Sequence, residues 1–174
     1  VGMYLERKDE SIEINIDQEV FEGNLLDIGF HNKGILYNGY KYFNKEVDLG
    51  YINGKEEKGL IEKNFYDNCT LMFILNNIHF KKSKEKLFKE VKEYMKKDGY
   101  IYIWDIDKGF KKCFNNKVVI KLPNSTQKDF YVKNFNILKD NSQESTVKIL
   151  EKYYDILDIK NEFGIYFIKA RNSK

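Results

Sequence analysis

The sequence predicts a single α/β domain, a three-layer arrangement around a mostly parallel sheet that closes with an antiparallel C-terminal hairpin. Three observations carry this. Residues 24–29 (NLLDIG) and 69–75 (CTLMFIL) are near-continuous apolar stretches, the character of strands covered on both faces. An amphipathic helix pattern separates the second of them from residues 100–106 (YIYIWDI), which makes a strand–helix–strand crossover unit. Residues 156–160 and 163–170 also look extended, and the turn around Asn161 and Glu162 is too short for a parallel crossover.

The remaining elements follow in order. Residues 11–16 alternate apolar and polar like a strand. The crossover helix has Ser83 as its cap and Leu87, Phe88, Val91, Tyr94 and Met95 at helical spacing, with Lys96-Lys97-Asp98-Gly99 as its stop. Lysines and glutamates fill its other side, a solvated face. Residues 117–122 and 130–138 flank a Pro-Asn-Ser turn and read as a hairpin, an insertion at about residues 110–139 at the carboxyl edge of the sheet. A second helix is expected over about 143–154, with Val147, Ile149, Leu150 and Tyr153 or Tyr154 on its apolar side. No repeat, low-complexity tract or linker divides residues 1–174, so one domain is expected.

The chain has 174 residues, 42% apolar and 33% charged, the balance of a globular protein able to bury a full core. Its net charge of +3 and reliance on lysine, with only Arg7 and Arg171 as arginines, do not favour a nucleic-acid partner. No apolar run of roughly 18 residues exists, so no span and no membrane partner is expected. Residues 1–10 lack the layout of a secretory signal, and Cys69 and Cys113 suit a reducing interior, so a cytoplasmic protein is expected. The two cysteines make no metal site. Heavy use of Lys, Asn, Ile, Tyr and Phe points to a low-GC, bacterial source.

In an open parallel sheet, ligands bind beyond the carboxyl ends of the strands, near the point where strand order reverses. That rule selects the loops at 29–34, 76–80 and 105–110. The first is the most informative. Asp27 can organise the loop or reach a cationic ligand group, and Gly29 removes a side chain where a ligand approaches. A strand ending in a tight turn gives the same string. Asp105 and Asp107 suit a cleft lining or a solvated loop, and residues 37–43 suit a substrate wall or a helix packed on the sheet. Trp104 and Cys69 read as core.

The string Leu25-Leu26-Asp27-Ile28-Gly29-Phe30-His31-Asn32-Lys33-Gly34 resembles motif I of the class I S-adenosylmethionine-dependent methyltransferases, Leu-Asp-Ile-Gly-Cys-Gly-x-Gly. Tyr66-Asp67 followed by CTLMFILNNIHF, then KLFKEVKEYMKKDGYIYIWDI, and the closing FGIYFIKARN resemble that family's later stretches in the same order. The resemblance implies a Rossmann-like sheet, S-adenosylmethionine as cofactor and transferase activity. It places Asp27 and Gly29 at the cofactor's aminoacid end, Phe30 and His31 in the cofactor loop, where His31 is a loop histidine with no role or a replacement contact, and Asp48 at the ribose hydroxyls. It also places Asn76 and Asn77 at the reactive end, positions that suit a plain turn equally well. His79 is the weak catalytic candidate, as an acceptor contact or base; a structural or exposed histidine is the alternative.

The sequence departs from the family pattern at His31 and Lys33, where the family has glycine. About 15 residues separate the Asp48 strand from CTLMFIL, too few for helix, strand and helix, so a strand or its helix is shortened or missing. The family's N-terminal cofactor-covering helix is replaced by the strand-like 11–16 stretch. The expected function is methyl transfer to a small-molecule acceptor. The alternative is a catalytically inactive relative that serves as an interaction or sensing module, for which a homodimer is open.

Overall fold

The computed structural model describes residues 4–8, 11–17, 21–29, 36, 49–52 and 61–173. Its strands, in chain order, are β1 (Tyr4–Lys8), β2 (Ser11–Asn15), β3 (Leu25–Ile28), β4 (Leu49–Ile52), β5 (Tyr66–Met72), β6 (Met95–Ile106), β7 (Phe114–Lys121), β8 (Gln127–Asn134), β9 (Asp155–Glu162) and β10 (Ile165–Arg171). Helix α1 (Lys81–Tyr94) joins β5 to β6, and helix α2 (Gln143–Leu150) precedes β9.

Six strands form the main sheet in the order β4-β3-β5-β6-β10-β9. The β4/β3, β3/β5 and β5/β6 pairs are parallel, and β10 runs antiparallel to both β6 and β9. The reversal is local. Phe163 (φ 53°) and Gly164 (φ 77°) form a two-residue turn with both residues left-handed, the geometry that matches the twist of paired strands. This places the turn two residues later than the Asn161–Glu162 position expected from sequence.

Helix α1 buries Lys84, Leu87, Phe88, Val91 and Tyr94, one stripe at helical spacing, against the main sheet. Phe80 caps it, without a side-chain bond, so the helix starts before Ser83. Its end also differs from the glycine stop. The chain passes from Tyr94 straight into β6, and residues 96–99 then bulge out, since Tyr66 pairs with Met95 but Asn68 pairs with Tyr100. Gly99 is needed in this bulge because a Cβ there would lie 2.9 Å from the Asp67 carbonyl oxygen. Ser142 caps α2 by accepting from Ser145 N at 3.3 Å, and α2 stops at Leu150, short of the expected Tyr154.

The 117–138 hairpin is present as β7 and β8, with Pro123–Ser125 as a 3-10 turn between them. Strand β8 ends at Asn134, so residues 135–138 are loop rather than strand. The hairpin's placement is the larger surprise. Strand β7 pairs in parallel with β2, which pairs with β1, so the four make a second sheet, β1-β2-β7-β8. This sheet packs on the face of the main sheet opposite α1 and α2, rather than standing at the carboxyl edge. Ile12, Ile14, Val118 and Ile120 meet Leu25, Met72, Trp104 and Phe167 there, and Leu36 is buried among them. Among the described residues the layers are therefore helices, six-stranded sheet and four-stranded sheet.

Candidate functional site

Strand order reverses between β3 and β5: β4 lies to one side and β6 to the other. The crevice outside their carboxyl ends is the place such a sheet offers a ligand. Residues 27–29, 72–77 and 105–108 converge on it.

Asp27 is fully buried, and its Oδ1 accepts from the Thr70 hydroxyl across the β3/β5 pair at 2.8 Å. Its carboxylate therefore fixes the root of the loop. Gly29, two residues on, is buried. Phe30, His31 and Asp48 lie outside the described residues, as do residues 37–43.

Past β5 the chain turns sharply. Phe73 takes a left-handed conformation (φ 55°) while its N–H still bonds Trp104 O at 2.7 Å, and Leu75–Asn77 is a single 3-10 turn. The strand therefore ends at Met72, three residues before the expected Leu75. Asn76 is buried and donates from its amide to Phe73 O at 2.9 Å, while its N–H bonds Asp105 Oδ2 at 3.1 Å. Asn77 is exposed, and its amide also donates to Phe73 O, at 3.1 Å. His79 is exposed at the foot of α1.

Behind this turn lies a buried polar cluster that the sequence reading did not assemble. Asp105, fully buried at the end of β6, accepts from Ile106 N at 2.8 Å and from Asn141 Nδ2 at 3.1 Å. Asn141 accepts in turn from Lys84 Nζ at 2.6 Å. Lys108 Nζ donates to the carbonyls of Asn136 and Lys139 at 2.7 and 2.8 Å, and Lys139 Nζ donates to the carbonyl of Asn76. Burial raises the Asp105 carboxyl above its ordinary range, against the bonds from Ile106 and Asn76. Burial likewise lowers the Lys84 ammonium, with Asp105 and Asp140 opposing. Burial, then the charge of Lys84, brings Lys139 down to about 8, with Lys108 adding to the fall and Asp105 opposing it.

Asp105 is thus part of the buried interior rather than a solvated loop, and Asp107 is half-buried, accepting from Gln143 N at 2.9 Å. One signal for the cluster was present in the sequence. Lys84 falls on the apolar stripe of α1, three and four residues before Leu87 and Phe88. The partners Lys108, Lys139 and Asn141 sit in loops, where no periodicity marks them. No group of three or more metal-binding side chains occurs among the described residues.

The chain matches no family model, and no curated protein matches it in sequence. Its fold matches many solved structures. A S-adenosylmethionine-dependent methyltransferase from Methanosarcina mazei shares 15% identity at a TM-score of 0.56, covering 91% of this chain and 96% of its own. One from Aquifex aeolicus shares 15% identity at 0.56, covering 86% and 82%. The 1,6-didemethyltoxoflavin-N1-methyltransferase of Burkholderia thailandensis, solved with its acceptor and S-adenosylhomocysteine, shares 10% identity at 0.58, covering 87% and 72%. With the strand order and the reversed β10, these likenesses assign the chain the class I S-adenosylmethionine-dependent methyltransferase fold.

Proposed function

We propose that this protein is an S-adenosylmethionine-dependent methyltransferase acting on a small-molecule acceptor. The observation that carries the reading is the β3/β5 switch point, where β3 ends at Ile28 and Gly29 follows it. Solved neighbours of this fold hold S-adenosylmethionine or S-adenosylhomocysteine.

The residues at the crevice fit such a ligand. Gly29 offers bare backbone for close approach, and the Asp27–Thr70 bond holds the loop root in place. In this reading Gly29, Phe30 and His31 border the aminoacid end, and Asn77 stands at the reactive end with Asn76 as the fixed turn beneath it. Strand β4 begins at Leu49 and reaches its carboxyl end at Ile52, so the ribose place expected for Asp48 falls past Ile52 instead. His79 is the candidate contact to the acceptor. When bound, the cofactor supplies an electrophilic methyl group on a sulfonium. The protein's own contribution is positioning: a turn locked by Phe73 O and Asp105 keeps the wall of the crevice from drifting. Both cysteines are free thiols, which suits the expected cytoplasmic setting.

One observation favours a second reading, a non-catalytic module. Phe73 through Asn76 are all buried and the amides of Asn76 and Asn77 are both bonded to Phe73 O, which leaves few free donors on that wall. Thermal unfolding with S-adenosylmethionine and S-adenosylhomocysteine separates the two. A binder at a hundredfold excess over its Kd gains about 2.7 kcal/mol of stability. A saturable rise in Tm supports the enzyme; no rise at millimolar ligand leaves the module.

A further inference from the structure

The carboxyl end of the main sheet carries a second feature, which borders the crevice and extends beyond it. Three segments meet there: 76–82, before and into α1; 108–113, after β6; and 133–139, after β8. They are stitched together by Asn134 Nδ2 on Asn76 O at 3.4 Å, Lys111 N on Ile137 O at 2.8 Å and Lys108 Nζ on Asn136 O at 2.7 Å.

Each segment lifts an apolar side chain into solvent and sets lysine next to it. Phe80 is 74% exposed, Phe110 61%, Phe135 60%, Ile137 50% and Leu138 81%. The strings are Phe80-Lys81-Lys82, Phe110-Lys111-Lys112 and Lys133-Asn134-Phe135. Together the three segments contain seven lysines and no aspartate or glutamate. Lys81, Lys82, Lys111, Lys112 and Lys133 are exposed, while Lys108 and Lys139 are buried and bond loop carbonyls underneath. Scattered exposed hydrophobics are ordinary, but five on three stitched loops that also carry five exposed lysines, with the half-buried Asp107 and Asp140 at their borders, are not.

We propose that this end of the molecule docks on an anionic membrane surface, its apolar tips entering the headgroup–acyl boundary while the lysine collar meets the lipid phosphates. The arrangement supplies what interfacial binding requires, exposed apolar area plus attraction to anionic lipid, on three segments bonded to one another. The absence of a spanning helix among the described residues is compatible with attachment of this kind. Single-stranded nucleic acid is the weaker fit. Ile137 and Leu138 have no ring to stack on a base, and the three segments contain no arginine. The inference does not depend on methyltransferase activity.

Co-sedimentation with vesicles tests it, using phosphatidylcholine alone and phosphatidylcholine mixed with phosphatidylglycerol. The full chain binds the mixed vesicles, less so as salt rises, and binds phosphatidylcholine weakly. The triple variant Phe110→Ala, Phe135→Ala, Leu138→Ala lowers the partition coefficient about tenfold or more. A Lys111→Glu, Lys112→Glu variant loses only the lipid-charge dependence. These side chains are exposed, so unchanged Tm values certify the fold. No binding to mixed vesicles, equal partition to both lipids, or full binding by the triple variant overturns the proposal. So does capture of single-stranded RNA, or concentration-dependent self-association, that disappears in the triple variant while vesicle binding does not.

Discussion

The two faces of the six-stranded sheet are covered in different ways, and they bury different chemistry. The face under β1, β2, β7 and β8 is almost wholly apolar, with Tyr102, Trp104 and Phe167 at its centre and Trp104 stacked on Tyr102 at 6.3 Å. The face under α1 and α2 also has an apolar core, but its carboxyl end encloses Asp105, Lys84, Lys108, Lys139 and Asn141. The difference follows from backbone hydrogen bonding. A second sheet spends its N–H and C=O groups on its own ladder and has none to offer a charge. Helix ends and the loop at 134–141 leave carbonyls free, and the buried lysines are bonded to those of Asn76, Asn136 and Lys139. The buried lysines lie where unladdered backbone can receive them, whereas the buried Asp27 is held by the Thr70 hydroxyl.

The largest expected effect lies on the apolar face. Trp104→Ala empties the interface between the two sheets and lowers the unfolding free energy by about 3–5 kcal/mol, measured by urea titration. A loss under about 1 kcal/mol would mean the second sheet is not packed as described. On the polar side, Asn141→Ala strips partners from Lys84, Asp105 and the Ile106 carbonyl together, and costs about 2–4 kcal/mol. Lys84→Met, which replaces the charge with an apolar side chain on the apolar stripe of α1, costs less than Asn141→Ala or is neutral. If Lys84→Met is the more damaging, the cluster contributes net stability rather than merely being tolerated.

The smallest effect is a pH dependence. Lys139 loses its proton near 8 in the folded chain, against 10.5 for an unperturbed lysine. Between those values the unfolded chain holds a proton that the folded one has released, so stability gains from this group as pH rises through that window. Lys139→Met removes that gain. The difference in unfolding free energy between wild type and variant should therefore widen in favour of wild type from about pH 7.5 to about pH 10. A constant difference would show that Lys139 is not held in a desolvated site.

Legibility in the sequence follows the same division. Strands β3, β5 and β6 and helix α1 could be read because their signals are local: unbroken apolar runs and one helical stripe. The closing hairpin could be read from connection length alone. The second sheet could not, because β1 is the charged string Tyr4-Leu5-Glu6-Arg7-Lys8 and β7 joins β2 across most of the chain. At the site, Asp27 and Gly29 sit at the predicted strand end, and Asn76 and Asn77 sit at the predicted turn with their amides bonded to it. Asp105 hid in an apolar run, and the loop lysines carry no pattern that separates a buried ammonium from a solvated one.

The β2/β7 pairing also has a consequence for synthesis of the chain. Ser11 lies in register opposite Lys117, so the β1/β2 hairpin leaves the ribosome long before its partner strand exists. Until then one side of β2 is an open ladder, the kind of template that draws a second chain into pairing. Closing so distant a contact is slow, and it makes the N-terminal hairpin the segment most in need of protection while translation proceeds.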